Sequence, residues 1–136
     1  ADHLHGQGNA LFFGGSAHDR AYIASITQHM KTSPFNVAGR LSLGQSAALL
    51  HRSALYIGLD SGPMHMAALA GIPVVALFGP THPSKVGPYG VAHCIVQAEG
   101  LNCLECRKRS CAQPRCMEEI SVSMVHDAAA SLLSPQ

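Results

Sequence analysis

Charge is scarce in this chain. Only 12% of its 136 residues are Asp, Glu, Lys or Arg, while 47% are hydrophobic. That balance excludes a disordered chain and suits strands covered on both faces. The net charge is +1 and no long basic run occurs, which argues against a nucleic-acid surface. The densest basic patch, in "CRKRS", reads as a solvated loop. No apolar run is long and uninterrupted enough for a membrane span. The longest, Met64 to Gly79, carries His65, Gly71 and Pro73 and reads as helix, turn and strand, leaving at most peripheral membrane contact. The start, "ADHLHGQGNALFF", has no secretory signal. The expectation is a cytoplasmic, reducing setting, in which the five Cys are thiols or metal ligands instead of disulfides. Internal repeats and low-complexity tracts are absent too.

What is present is an alternation of strand and helix patterns. "ALFF" reads as a short strand ending at Gly14-Gly15, and Ser16 as the cap of a helix with an apolar stripe of Tyr22, Ile23, Ile26 and Met30. "FNVAG" is a second strand, closed by Gly39. A helix follows in "GQSAALLHRSA", then a strand in "LYIGL". "PMHMAALA" is a short helix stopped by Gly71 and Pro73. "PVVALF" and "HCIVQ" are further strands, with Cys94 read as core. "SVSMVHDAAASLL" is a last helix with Val125, Ala129, Leu132 and Leu133 on one face. The Pro- and Gly-rich segment 79–91 is read as loop, and 99–119 as an irregular Cys-rich loop. Apolar strands alternating with helices predict an α/β fold, a Rossmann-like parallel sheet with helices on both faces. Such a unit normally opens with a strand, a Gly-containing loop and a helix. Here "ADHLHGQGN" looks like the tail of a helix, so residues 1–136 are expected to form a single, partial domain of a longer protein.

The most informative stretch is "LYIGLDSGPMHMAALAGIPVVALFGPTHPSK". Ligands of open parallel sheets bind at the carboxyl ends of the strands, and Asp60 follows such an end. Asp60 or Ser61 can cap the next helix by accepting from a backbone N–H. Pro63 suits a first helical turn, and Gly62 permits close approach of another group. The helix start is an anion site, with His65 in its first turn able to donate to a phosphate oxygen. A plain helix cap explains Asp-Ser-Gly-Pro equally well when it is taken alone. Gly79-Pro80-Thr81 and Gly39, each closing another strand, add small loops that suit a nucleotide-sized crevice.

These residues carry a resemblance. "DSGPMHMAALAGIPVVALFGPTHPSK" resembles the hallmark of glycosyltransferase family 9, the bacterial lipopolysaccharide heptosyltransferases. "NVAGRLSLGQSAALLHRSALYIGLDSG" is similar to the segment that precedes it there, and "CLECRKRSCAQPRCMEEISVSMV" to the family's Cys-rich stretch. The likeness runs from Leu11 onward. It implies the C-terminal, donor-binding half of a GT-B fold, lacking its first βα unit. It implies that Ser61, Gly62, Met64 and His65 face the diphosphate of a nucleoside-diphosphate sugar, with Asp60 near the sugar or ribose. It further implies that Gly39 to Leu41 border the base and that Thr81 lies near the domain cleft. The donor implied is ADP-heptose and the acceptor a lipopolysaccharide core, engaged by an N-terminal domain that also supplies the catalytic base. The fragment alone is therefore expected to be inactive and to hold no catalytic residue. The place implied is the cytoplasm, at the inner face of the inner membrane. The reaction implied is direct displacement with inversion, the helix start stabilising the leaving diphosphate without a divalent metal. Two departures stand out. The family's first βα unit with its basic phosphate contact is missing, and "GGSAHDR" offers Asp19 where the family often has an acid directly after Gly-Gly.

Cys103, Cys106, Cys111 and Cys116 are spaced C-x2-C-x4-C-x4-C. They are candidate ligands of a structural zinc, or else reduced thiols packing a loop, or a disulfide formed after purification. No motif ties a base to any Cys, which speaks against a catalytic thiol. Besides the transferase domain, two other functions fit the residues. One is a non-catalytic module binding a nucleotide or phospho-sugar, and the other is a zinc-stabilised interaction domain.

Overall fold

The computed structural model describes residues 1–134. It forms two compact units, divided between Ser46 and Ala47.

The first unit carries α1 (Asp2–Gly6), β1 (Phe12–Phe13), α2 (Asp19–Thr27) and β2 (Phe35–Asn36), followed by the start of α3 (Leu43–His51). β1 and β2 pair in parallel, Phe12 opposite Phe35, and their rings stack with centroids 5.1 Å apart. The Asp2 carboxylate accepts from the Lys31 and Thr32 amides, each at 3.1 Å, and from the Thr32 hydroxyl at 2.6 Å. These bonds hold its pKa below the usual carboxylate value. Ser16 is not the cap expected of it. α2 starts at Asp19 without a side-chain cap. Instead the Ser16 amide and hydroxyl both donate to the Asp19 carboxylate, each at 2.7 Å. Asp19 is thus engaged in its own turn, with a lowered pKa caused first by the Ser16 hydroxyl. Of the expected apolar stripe on α2, Ile23 is buried while Tyr22 and Ile26 are exposed.

The second unit holds β3 (Tyr56–Leu59), α4 (Gly62–Leu69), β4 (Val74–Phe78), α5 (Pro83–Val86), β5 (His93–Gln97), α6 (Arg115–Glu118) and α7 (Val122–Leu133). Its sheet runs in the order β3-β4-β5, all parallel, with Leu59 opposite Leu77 and Leu77 opposite Val96. β4 is central. Val74, Ala76 and Phe78 point one way and pack with Met64, Ala67 and Ile72 in one cluster, against which Leu50, Tyr56 and Val91 also lie. Val75 points the opposite way and is equally buried. α7 packs against β4 and β5, with Ala129 fully buried and the Ser121 hydroxyl capping its start by accepting from the Met124 amide at 3.2 Å. This explains the near-continuous apolar reading of β4: a strand covered on both faces has no polar side.

Two segments read as loop contain helix. Pro83 starts α5 inside 79–91, and Pro114 precedes α6 inside 99–119. Each is four residues long, too short for a hydrophobic period to reveal. Cys94 is half-buried instead of fully core, with its sulfur 3.5 Å from the Ser131 hydroxyl. No described helix is long and apolar enough to cross a membrane.

Candidate functional site

Because β3 and β4 are parallel neighbours, their carboxyl ends open on the same edge of the sheet. The Asp60-to-His65 corner follows β3, and Gly79-Pro80-Thr81 follows β4. The sequence placed both loops there, and the second unit brings them together. Gly39 and Leu41 belong to the first unit. There Gly39 has a left-handed φ of +62°, and a Cβ would come within 2.5 Å of the Ala17 backbone, so only glycine fits. The Arg20 side chain braces that turn by donating to the Ala38 and Gly39 carbonyls at 3.0 and 3.2 Å.

At the β3–α4 corner, Ser61 is the residue preceding the helix, with an extended backbone (φ −162°, ψ 166°). Its hydroxyl does not accept from the helix. It donates to the Leu59 carbonyl at 3.1 Å, and no side chain caps α4. The expectation that Asp60 or Ser61 would accept from a first-turn N–H is corrected on this point. The Ser61 carbonyl does accept, from the Met64 amide at 3.1 Å and the His65 amide at 3.4 Å. Pro63 has no N–H, so the Gly62 amide is the first-turn donor left for a ligand, and no side chain caps it. Gly62 faces open space, where a Cβ would meet nothing within 4 Å. His65 is exposed, and its Nε2 lies 4.0 Å from the Asp60 carboxylate. Asp60 can thereby help orient the imidazole.

The Met64 side chain is fully buried in the core cluster beneath α4, where it anchors the helix, so only its backbone is left to approach a ligand. Tyr56 was not singled out from the sequence, yet it reaches the corner from below. A Cβ on Gly58 would sit 2.7 Å from the Tyr56 ring carbon that bears the hydroxyl, so the ring lies across Gly58. Burial raises the Tyr56 pKa, opposed by a hydrogen bond with Ser61. The signal was the spacing of Tyr56 and Gly58, two apart on one face of β3, with glycine making room for the ring.

The neighbouring turn is held from outside. Gly79 is buried, and a Cβ there would come within 2.5 Å of Met117 Sδ and 3.0 Å of Cys116 Sγ. The Glu105 and Arg107 amides donate to the Gly79 and Pro80 carbonyls at 3.1 and 2.6 Å, and the Glu105 carboxylate lies against His82 Nδ1. The Cys-rich segment therefore grips the turn that carries the half-buried Thr81. Cys103, Cys106, Cys111 and Cys116 all line one cavity of about 180 Å³ in this segment. Burial, reinforced by the other three thiols, pushes the Cys116 thiol pKa up. Among the described residues no group of three or more His, Cys, Asp or Glu side chains is already arranged to hold a metal ion.

Comparison with known proteins agrees with this architecture. The sequence profile described as glycosyltransferase family 9 (heptosyltransferase) matches residues 1–117. It takes in the segment before Leu11, where no resemblance was evident, and stops before α7. Lipopolysaccharide heptosyltransferase 3 of Escherichia coli is 36% identical over 83 residues, 59% of this chain and 24% of that protein. The crystal structure of a family 9 glycosyl transferase from Veillonella parvula superposes with a TM-score of 0.84 at 31% identity, covering 98% of this chain and 39% of that one. An Escherichia coli heptosyltransferase solved with ADP gives a TM-score of 0.71 at 18% identity, covering 93% and 35%. The chain thus spans about a quarter to two-fifths of the length of these relatives. The Rossmann-like α/β fold expected from the sequence is borne out by these likenesses. With its profile matched over residues 1–117 of 136, the chain belongs to glycosyltransferase family 9.

Proposed function

We propose that this chain is the nucleotide-sugar-binding part of an inverting glycosyltransferase, a single partial domain equivalent to the C-terminal half of a GT-B enzyme. The donor is a nucleoside-diphosphate sugar, ADP-heptose in this reading, and the acceptor is a lipopolysaccharide core. The names of the relatives favour heptose and lipopolysaccharide, and a structural neighbour solved with ADP favours adenine. The observation that carries the reading is the uncapped start of α4. At the carboxyl end of a parallel strand, Ser61 turns its hydroxyl away from the helix, Gly62 leaves open space, and His65 stands beside Asp60.

The chemistry follows from that corner. An acceptor hydroxyl attacks the anomeric carbon while the bond to the diphosphate breaks. Negative charge builds on the leaving diphosphate, and the Gly62 amide with the dipole of α4 behind it stabilises that charge as it develops. His65 adds a charge-assisted hydrogen bond. In this arrangement no metal is needed to carry the leaving group. The base that takes the acceptor proton lies outside residues 1–136, so this chain by itself transfers no sugar. Asp60 contributes by orienting His65 and contacting the sugar or ribose. Gly39, Leu41 and Thr81 are assigned to the base and cleft borders. The enzyme works in the cytoplasm, at the inner face of the inner membrane.

A binding screen of nucleotides and nucleotide sugars on the full-length protein tests the reading. Saturable binding of ADP and ADP-heptose, with heptose transfer to a lipopolysaccharide core acceptor, is the expected result. Binding without transfer to any sugar acceptor favours the non-catalytic module, and no nucleotide binding at all refutes the proposal.

A further inference from the structure

The Cys-rich segment is not accounted for by donor binding. From Glu99 to Glu119 no residue is fully buried, and its only regular element is the four-residue α6. A segment with so little apolar burial needs another source of order. It also carries unfavourable backbone. Glu105 and Arg107, at φ of 60° and 58°, are the non-glycine residues with positive φ among those described, and they flank Cys106, the second cysteine of the C-x2-C hook. Such conformations are costly and persist where the surroundings impose them. The bonds from their amides to Gly79 and Pro80 impose them in part, and they fix where the hook stands.

The four thiols of this segment border one cavity, and Lys108 and Arg109 line it with them. None of the five cysteines is in a disulfide. We propose that Cys103, Cys106, Cys111 and Cys116 bind one Zn²⁺, which clasps the segment against the turn after β4. Zinc favours four thiolates in a tetrahedron, and a C-x2-C hook supplies two of them from one turn. Four thiolates around a dication leave two negative charges, and Lys108 and Arg109 are placed to offset them. The sulfurs border the cavity without yet being arranged to hold an ion, so the site closes as the metal enters. The thiol protons are released to solvent as the metal binds. Because Cys116 and Met117 lie against Gly79, that closure tightens the turn bearing Thr81.

The test is zinc titration of the full-length protein after reduction and chelation, read in two ways. Peptide mapping after alkylation should show Cys103, Cys106, Cys111 and Cys116 protected by Zn²⁺ and labelled once the metal is chelated. Cobalt in place of zinc should give the intense d–d absorption of four-coordinate thiolate sites. Cys106→Ser with Cys111→Ser should abolish both signals, while Cys94→Ser should leave both intact. The parent's own protection pattern keeps the test decisive where the double variant does not fold. Alkylation unaffected by Zn²⁺, or disulfides among these four in the freshly isolated protein, overturns the proposal.

Discussion

The Ser61 hydroxyl donates to the Leu59 carbonyl at 3.1 Å and so turns away from the helix that Ser61 introduces. At the start of α7, the Ser121 hydroxyl does the opposite and accepts from the Met124 amide at 3.2 Å. Two serines in like positions therefore do different work. Ser121→Ala removes a true cap and should cost about 1 kcal/mol of stability. Ser61→Ala removes no cap and should cost clearly less, provided that no anion is bound. Chemical denaturation of the two variants in parallel checks the difference. Equal losses would mean that Ser61 caps α4 in solution.

Gly79 is the tightest point between the β4 turn and the Cys-rich segment. A Cβ there would sit 2.5 Å from Met117 Sδ. Gly79→Ala should destabilise by about 1–3 kcal/mol through overpacking. Adding Met117→Ala should return part of that loss, so the double variant should be more stable than the sum of the two single changes predicts. Strict additivity, measured by denaturant midpoints, would show that the crowding is relieved elsewhere. Gly62→Ala serves as the contrast, since a Cβ there meets only open space.

Acid should act on the first unit through Asp2 and Asp19. Both carboxyls have lowered pKa values, Asp2 chiefly through the Thr32 hydroxyl and Asp19 chiefly through the Ser16 hydroxyl. A folded pKa below the unfolded one means that the stabilisation is complete above the ordinary carboxylate value near ~4. It is lost as pH falls through the lower folded value. Asp2→Asn should therefore lower Tm at pH 7 and flatten its fall between neutral pH and strong acid. Parallel slopes for variant and parent across that range would remove Asp2 from the account.

The β3–α4–β4 unit was legible because its signals agree. A buried strand, a Pro-started helix, a Gly-Pro stop and a second buried strand leave little freedom, and the corner at Asp60 follows from them. What was not legible depends on direction and on packing. Nothing in Asp-Ser-Gly-Pro says whether the Ser61 hydroxyl points to the helix or back to the strand. Met64 sits between two residues assigned to the ligand, and only the helical phase set by Ala67 sends it into the core. α5 and α6 are single turns opened by proline, with no period to detect. Ser16 looked like a cap because it stands just ahead of a helix pattern, but Asp19, three residues on, accepts from it instead. That spacing fits either a cap or a turn closed by the acid.

The central claim is that the start of α4 binds the donor diphosphate. It is tested most directly by titrating ADP into the full-length protein and its His65→Ala and Gly62→Val variants, with circular dichroism to confirm folding. Neither change touches the core, since His65 is exposed and Gly62 faces open space. His65→Ala should remove one charge-assisted hydrogen bond, about 1.5–3 kcal/mol or roughly ten- to a hundred-and-fifty-fold in affinity. Gly62→Val should weaken binding further by filling the space the phosphate needs. In single-turnover transfer, the rate with His65→Ala should fall by more than donor affinity does. Parent-like ADP affinity in both folded variants would contradict the claim and leave the corner as an ordinary helix start.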